Sequence, residues 1–192
     1  MTEPTASTIH LDARAIKVLA HPLRSRLLTA LRVGGPATAT ALAATLATNT
    51  GATSYHLRRL ASVGLVEETD EGRGRERWWR ATTRAHSWTP LDVAGDPDGE
   101  AAADWLSRQN LRAFVERFEA WLDELRSWPA DWQEIAGSTD LVLHLAPEAL
   151  GALLQEFDSL VERYRDAPAD PAPDTELVQV YLYTFPGPRS PR

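Results

Sequence analysis

Hydrophobic residues recur every three or four positions over the first third of the chain, and this pattern predicts four short amphipathic helices. The helices cover residues 12–20, 22–33, 40–47 and 50–63. Asp12 is the expected N-cap of the first helix, and a Gly-Gly-Pro segment ends the second. Only two residues separate the third helix from the fourth, so these two helices are joined by a tight turn.

The fourth predicted helix has one apolar side and one polar, basic side. Thr53, Leu57 and Leu60 follow the spacing of a buried stripe, and Gly64 ends the helix in a left-handed conformation. A short second helix with a polar outer face is what a helix-turn-helix presents to the DNA major groove. The alternative is a solvated helix face. The residues expected on this outer side are Thr50, Ser54, Tyr55, Arg58 and Arg59.

A β-hairpin is predicted directly after this helix. Residues 65–69 and 76–82 read as its two strands, and the turn at 70–75 contains two glycines and two arginines. A glycine-flanked tip can follow the DNA backbone closely, so Arg73 and Arg75 are expected to contact phosphates or the minor groove. Helix, helix and hairpin in this order predict a winged helix-turn-helix.

Three segments in this half resemble the ArsR/SmtB-type winged-helix transcription regulators: HPLR at 21–24, HLRRL at 56–60 and GLV at 64–66. The resemblance covers residues 12–84. It implies a winged-helix fold and DNA binding, and it says little about which signal is sensed. It also implies that His56 either supports the turn or contacts a phosphate.

The pattern changes after the hairpin. Residues 85–99 are punctuated by threonine, proline, glycine and aspartate and predict a connector. A long helix follows over 100–127, with a heptad-like seam of apolar residues. That helix either lies on the core of its own domain or forms a dimer contact. We favour dimerisation, because a two-fold operator needs two recognition helices about one DNA turn apart, ~34 Å.

The C-terminal part is expected to be a small α/β accessory unit. A strand at 139–145, a helix at 147–164 and a strand at 176–185 are predicted. Two strands alone are marginally stable, so we expect them to pair across a dimer or to pack on the long helix. Residues 1–11 and 187–192 are predicted to be a disordered N-terminus and a tail.

Length and pattern together indicate two domains. The 192 residues suit one large domain or two small ones. We assign a winged helix-turn-helix DNA-binding domain to residues 12–84 and a dimerisation and effector domain to residues 100–186. The predicted fold class is α+β, mostly α.

Charge is distributed unevenly between the two halves. Residues 1–90 carry 12 Arg and Lys against 7 Asp and Glu, a net charge of +5. Residues 91–192 carry 8 against 20, a net charge of −12. The basic balance therefore falls on the predicted DNA-binding half. The alternative is that both halves are ordinary solvated surfaces.

Metal and cofactor sites receive little support from the sequence. The chain has no cysteine, which excludes a disulfide framework and thiolate metal ligands. No two of the five histidines lie four residues apart on one helix. The remaining alternative is a site assembled from distant His and Asp residues across a dimer. We predict no metal and no cofactor.

Seven tryptophans are unusual for this length, and aromatic residues concentrate in the second half. One interpretation is core and dimer packing. The other is an apolar pocket for a small apolar or aromatic effector. The candidate pocket residues are Trp105, Phe114, Phe118, Trp121, Trp128 and Trp132.

Enzyme and membrane signatures are lacking in the sequence. It contains no phosphate loop, no G-x-S-x-G, no H-E-x-x-H and no readable pair of carboxylates. No apolar run approaches the length of a membrane span, so a cytoplasmic protein is expected. The sequence therefore predicts a dimeric DNA-binding transcription regulator, expected to be a repressor. The alternative is a winged-helix protein-interaction module whose acidic, Trp-rich half binds a protein partner.

Overall fold

The computed structural model describes residues 6–69, 76–165 and 175–187. The chain divides into two compact units between Ala113 and Phe114. In the first unit the elements are β1 (Ala6–His10), α1 (Ala13–Leu19), α2 (Pro22–Gly34), β2 (Ala37–Thr38), α3 (Ala39–Thr45), α4 (Thr50–Ala61), β3 (Val66–Thr69), β4 (Trp78–Ala81), β5 (Thr83–Ser87) and the start of α5 (Pro97–Glu124). The predicted class, α+β and mostly α, is confirmed.

The helices of the first unit begin at side-chain caps. Asp12, Thr38 and Asn49 each accept a hydrogen bond from the backbone N–H three residues on, at 2.7, 3.1 and 2.8 Å. Such caps satisfy N–H groups that have no partner inside the helix. Gly64 has φ +73°, as predicted, but α4 already ends at Ala61 and not at residue 63, so Gly64 lies three residues beyond the helix. These local signals fix where α1, α3 and α4 start and where the chain turns after α4.

The core of the first unit is built from leucines on α2 and α4, closed by the sheet. Leu27, Leu57 and Leu65 are fully buried, and Trp79 of β4 and Leu106 of α5 pack into the same cluster. Each such side chain contributes about 1.5–3 kcal/mol on burial. The predicted stripe of α4 is therefore confirmed, and it anchors this helix with its opposite side outward.

A three-stranded antiparallel sheet has the order β2-β4-β3. The β3–β4 hairpin confirms the two predicted wing strands. The predicted tip at 70–75, with Arg73 and Arg75, lies outside the described residues. The pairing of β2 with β4 was not predicted, because two residues are too short to show an alternating pattern.

The N-terminus corrects one prediction. Disorder was expected over 1–11, but Ala6–His10 forms β1, which pairs in parallel with β5. The backbone N–H of Leu11 then donates to the carbonyl of Ser87 at 2.8 Å, and Leu11 is fully buried. The partner strand lies far along the chain, so no local pattern indicates this pairing.

Arg32 ties α2 to β5. Its Nε donates to the carbonyl of Thr83 at 2.9 Å, and its Nη1 donates to Nδ1 of His86 at 2.6 Å. The His86 ring also stacks on Trp88, with ring centroids 5.7 Å apart. Burial lowers the pKa of Arg32 to about 10 and that of His86 to about 3, where the charge of Arg32 contributes. His86 is therefore a neutral acceptor at pH 7.

The predicted connector at 85–99 lies within the first unit. Its start belongs to β5, and Val93 packs in the core cluster with 3% of its surface exposed. The division between the units thus falls later in the chain than the boundary that the sequence indicates. Polar and turn-forming residues marked a change of structure here, but not the end of the folded body.

The second unit contains the rest of α5, α6 (Ala130–Ile135) and α7 (Pro147–Arg165). Helices α5 and α7 confirm the two helices predicted in this part of the chain, whereas α6 was not predicted. The predicted strands at 139–145 and 176–185 are wrong, since both segments lack regular secondary structure. A strand needs a neighbour for its backbone N–H and C=O groups, and the described residues of this unit offer none.

None of the described helices has both the length and the apolar character needed to cross a membrane.

Candidate nucleic-acid interface

One side of helix α4 packs on the core of the first unit, and the opposite side is exposed to solvent. Thr53, Leu57 and Leu60 are fully buried, and the Thr53 hydroxyl is satisfied by donating to the carbonyl of Asn49 at 3.0 Å. Tyr55, on the opposite side, is 54% exposed. The helix is thereby held firmly while its polar residues face solvent.

The outer side of α4 keeps its donors unengaged. Among the described residues, none forms a hydrogen bond or ion pair with the side chains of Thr50, Ser54, Tyr55, Arg58 and Arg59. Nearby arginines differ, because Arg26 donates to the carbonyl of Leu46 at 3.1 Å and Arg77 pairs with Glu68. Within the described part of the chain no side chain competes for the outer side of α4, so an incoming phosphate or base edge meets donors that are bound only to water there.

One flank of α4 faces α3 and β4 across a groove of about 330 Å³. Thr50, Ser54 and Arg58 line it together with Arg77. Sequence reasoning missed Arg77. The signal was present, since strand alternation places residue 77 on the same side as buried Trp79, toward the helices.

The other flank of α4 faces the start of α2. The His56 ring lies 4.4 Å from that of His21, and Tyr55 packs on His56 at 5.1 Å between centroids. His21 caps α2, because its Nδ1 accepts from the N–H of Leu23 at 3.1 Å. Burial lowers the pKa of both imidazoles, and the charge of Arg24 lowers each further. Sequence reasoning found His56 but missed His21 and Arg24 as its neighbours.

The base of the wing carries two cross-strand ion pairs. Arg77 Nη1 lies 3.0 Å from Glu68 Oε1, and Arg80 Nε lies 2.7 Å from Glu67 Oε1. All four side chains are at least partly exposed, so each pair contributes only about 0–1 kcal/mol to stability. The two carboxylates offset the positive charge of the wing strands, but such exposed ion pairs do not hold the arginine side chains in one position.

Three of the six predicted pocket residues come together in the second unit. Phe114 stacks on Phe118 at 5.6 Å, and Phe118 contacts Trp121 at 5.3 Å between ring centroids. Tyr181 and Tyr183, which sequence reasoning placed in a strand, add to this aromatic cluster. The result is a half-exposed aromatic wall.

Among the described residues, no ring contact joins the other three predicted pocket residues to this wall. Trp105 packs against the core of the first unit. Trp128 and Trp132 contact each other edge to face at 6.1 Å. A groove of about 560 Å³ runs along α7 and is lined by none of the six.

Within the described ranges, no three His, Asp or Glu side chains are grouped so as to hold a metal ion.

Comparison with known proteins gives a family match and two solved structures. A helix-turn-helix domain model matches residues 19–69. The crystal structure of a possible transcriptional regulator for arsenical resistance is 32% identical, with 68% of this chain and 99% of that chain covered and a TM-score of 0.32. RV1404 from Mycobacterium tuberculosis is 16% identical, with 82% and 86% covered and a TM-score of 0.33. No curated protein matches. Both TM-scores are low, so the likeness rests on the first protein's sequence identity.

Proposed function

This chain belongs to the ArsR-type winged helix-turn-helix transcription regulators, and from this we propose its function. In our proposal it acts as a homodimeric repressor that binds a palindromic operator. Membership of this family establishes that the chain is a DNA-binding regulator. In our proposal α4 enters the major groove and the wing, with Arg73 and Arg75, follows the backbone.

The observation that carries the proposal is the unengaged outer side of α4. A helix that is anchored by buried Leu57 and exposes free hydroxyl, phenol and guanidinium groups fits a surface rich in acceptors. The +5 charge of residues 1–90 has the sign that DNA requires. Arg58, beside the groove that Thr50 and Ser54 line, is the candidate for a guanine edge, and Arg59 for a phosphate.

Dimerisation is proposed from the second unit and from operator symmetry. Every described side chain from Phe114 onward is at least partly exposed, although α5 and α7 carry apolar stripes. A second copy would cover such stripes, and two copies would place two recognition helices on one face of the duplex. We propose α5 as the dimer contact.

A small effector is proposed to act on the aromatic wall formed by Phe114, Phe118 and Trp121. A planar apolar ligand would stack on these rings and displace water from them. The similar arsenical-resistance protein does not extend this proposal to arsenicals, because this chain carries no thiolate ligand for a soft ion.

A second candidate function is that of a protein-interaction module. The −12 charge of residues 91–192 and their exposed apolar side chains favour it, since this surface would suit a basic, partly apolar protein partner. It predicts binding of that partner without any preference among DNA sequences.

The test is fluorescence anisotropy with the protein's own upstream DNA and with random DNA of equal length, at two salt concentrations. We expect tighter binding to the upstream DNA, weakened by salt. Arg58→Ala should cost about 1–3 kcal/mol of specific binding if Arg58 reads a base. Arg108→Ala, an exposed arginine of α5, is the matched control and should change nothing. Equal weak binding to both DNAs would favour the protein-interaction module.

A further inference from the structure

Two imidazoles and two guanidinium groups meet where α4 passes the start of α2. His21 and His56 lie in ring contact at 4.4 Å, and the charge of Arg24 on α2 acts on both imidazoles. Arg59 on α4 is in turn a charged neighbour of Arg24. Arg24 is held toward the protein through Nε, which donates to the carbonyl of Val18. We call this set the histidine flank.

The histidine flank and the groove beside Arg77 lie on opposite edges of the exposed side of α4. One turn is 3.6 residues, so His56 and Arg59 share an edge that Thr50 and Ser54 do not. A helix in the major groove has a sugar-phosphate backbone on each side. The histidine flank is therefore placed to meet one of the two backbones, if α4 reads DNA as proposed above.

Both imidazoles are held neutral in the free protein. Burial and the charge of Arg24 lower the pKa of each, and His21 adds to the effect on His56. His56 Nδ1 is buried and has no hydrogen-bond partner among the described residues. The other group facing the pair is Tyr55, and no carboxylate within the described ranges forms an ion pair with either imidazole.

We infer that the His21–His56 pair takes up a proton when a DNA phosphate docks on the histidine flank, so that DNA binding strengthens as the pH falls. This inference rests on the proposed function. An arriving phosphate offsets the charge of Arg24, which otherwise opposes protonation of both imidazoles. It also accepts a hydrogen bond from an imidazolium more strongly than from a neutral ring.

The direction of the pH dependence of DNA affinity follows from the number of protons bound in each state. The complex binds more protons than the free protein and free DNA, so affinity rises as the pH falls through the pKa of the pair in the complex. The gain levels off below the pKa of the pair in the free protein, which lies below the ordinary value of about 6.5. Full uptake of one proton gives up to about tenfold in affinity per pH unit.

The experiment is titration calorimetry of the full chain against its upstream DNA at about pH 7, in two buffers of different ionisation enthalpy and equal ionic strength. The difference between the two observed enthalpies, divided by the difference between the ionisation enthalpies of the two buffers, gives the number of protons taken up. Anisotropy at about pH 6 and about pH 8 then measures the change in affinity directly. We expect net proton uptake and at least about threefold tighter binding at the lower pH.

Variants assign the proton to this pair. Asn at 21 keeps a cap for α2, so the double variant His21→Asn, His56→Gln removes the titration and retains the fold. Proton uptake and pH dependence should vanish in it and persist in His144→Gln, an exposed histidine of the second unit.

Two results would overturn the inference while leaving the proposed function intact: wild-type binding without proton uptake, or uptake that survives in the double variant. Failure to bind any DNA at either pH would instead overturn the proposed function, and the inference with it.

Discussion

The two units of this molecule use similar apolar patterns with opposite outcomes. In the first unit Leu27, Leu57 and Leu60 lose nearly all contact with solvent. In the second unit Leu153 and Leu160, on the equally amphipathic α7, remain about 40% exposed. Both stripes have helical spacing, so the spacing alone does not separate a core from a surface.

The difference lies in what each stripe can reach. In the first unit α2 and α4 contact each other, β4 packs on α2 and β3 packs on α4, so helices and sheet close on one cluster. The described part of the second unit has helices but no sheet to close them. A stripe that the described residues of its own unit leave about 40% exposed is the physical reason to look for a second copy of the chain.

The largest expected effect tests this comparison directly. Leu57→Ala should lower the free energy of unfolding by about 2–5 kcal/mol, because it opens a cavity in a closed core. Leu160→Ala should cost less than about 1 kcal/mol, because its side chain is already partly hydrated. Urea unfolding of both variants measures the two losses, and equal losses would show that α7 lies on a core of its own.

The next largest effect concerns dimerisation through α5, which would cover exposed apolar side chains of the second unit. Trp121→Glu should weaken self-association by about 3 kcal/mol, roughly 100-fold, since a charge would be buried in an apolar contact. Sedimentation equilibrium measures it, with Glu116→Gln on an exposed position of the same helix as control. A dimer that survives Trp121→Glu, or a wild type that is monomeric, would contradict the proposed interface.

The sequence predicted the first unit well where signals are local. The Asp12 cap, the stripe of Leu57 and Leu60 and the turn at Gly64 each depend on residues a few positions apart. It failed where pairing is distant, as for β1 and β5, because nothing near Ala6–His10 indicates its partner strand.

The candidate site shows the same limit. The outer side of α4 follows from helical spacing, so Ser54 and Arg58 were found. His21 and Arg77 were missed, because their proximity to α4 depends on how α2 and β4 pack against it. In the second unit, the alternating segment at 176–185 predicted a strand, but a strand also requires a neighbour.

The pH dependence of the free energy of unfolding should also distinguish the two units, because His86, whose pKa is lowered by burial, lies in the first. His86 is neutral in the folded chain, with a pKa of about 3, and takes up a proton near its ordinary value of about 6.5 when unfolded. The unfolded chain thus binds more protons than the folded chain between these two pKa values. The contribution of His86 to the free energy of unfolding is therefore fully present above about pH 6.5 and is lost as the pH falls. At about pH 5 the loss is about 2 kcal/mol. Urea unfolding at two pH values should show this loss in the wild type.

The matched variants are His86→Gln, which keeps an acceptor for Arg32, and His144→Gln in the second unit. The first should remove that part of the pH dependence, and the second should leave it unchanged. If His144→Gln had the larger effect, the acid-sensitive structure would lie in the second unit and the comparison would be reversed.

The smallest expected effect concerns exposed charge at the wing. Glu68→Gln frees Arg77 from its ion pair, so all DNA should bind a few-fold more tightly, by about 0.5–1 kcal/mol, with a steeper salt dependence. Unfolding free energy should stay within about 0.5 kcal/mol, because the pair is exposed. The control is Arg117→Gln, which removes an exposed donor to Tyr181 in the second unit and should leave DNA affinity unchanged. Because Arg77 shares a groove with Arg58, an unchanged affinity in Glu68→Gln would mean that DNA approaches α4 without reaching this edge of the hairpin.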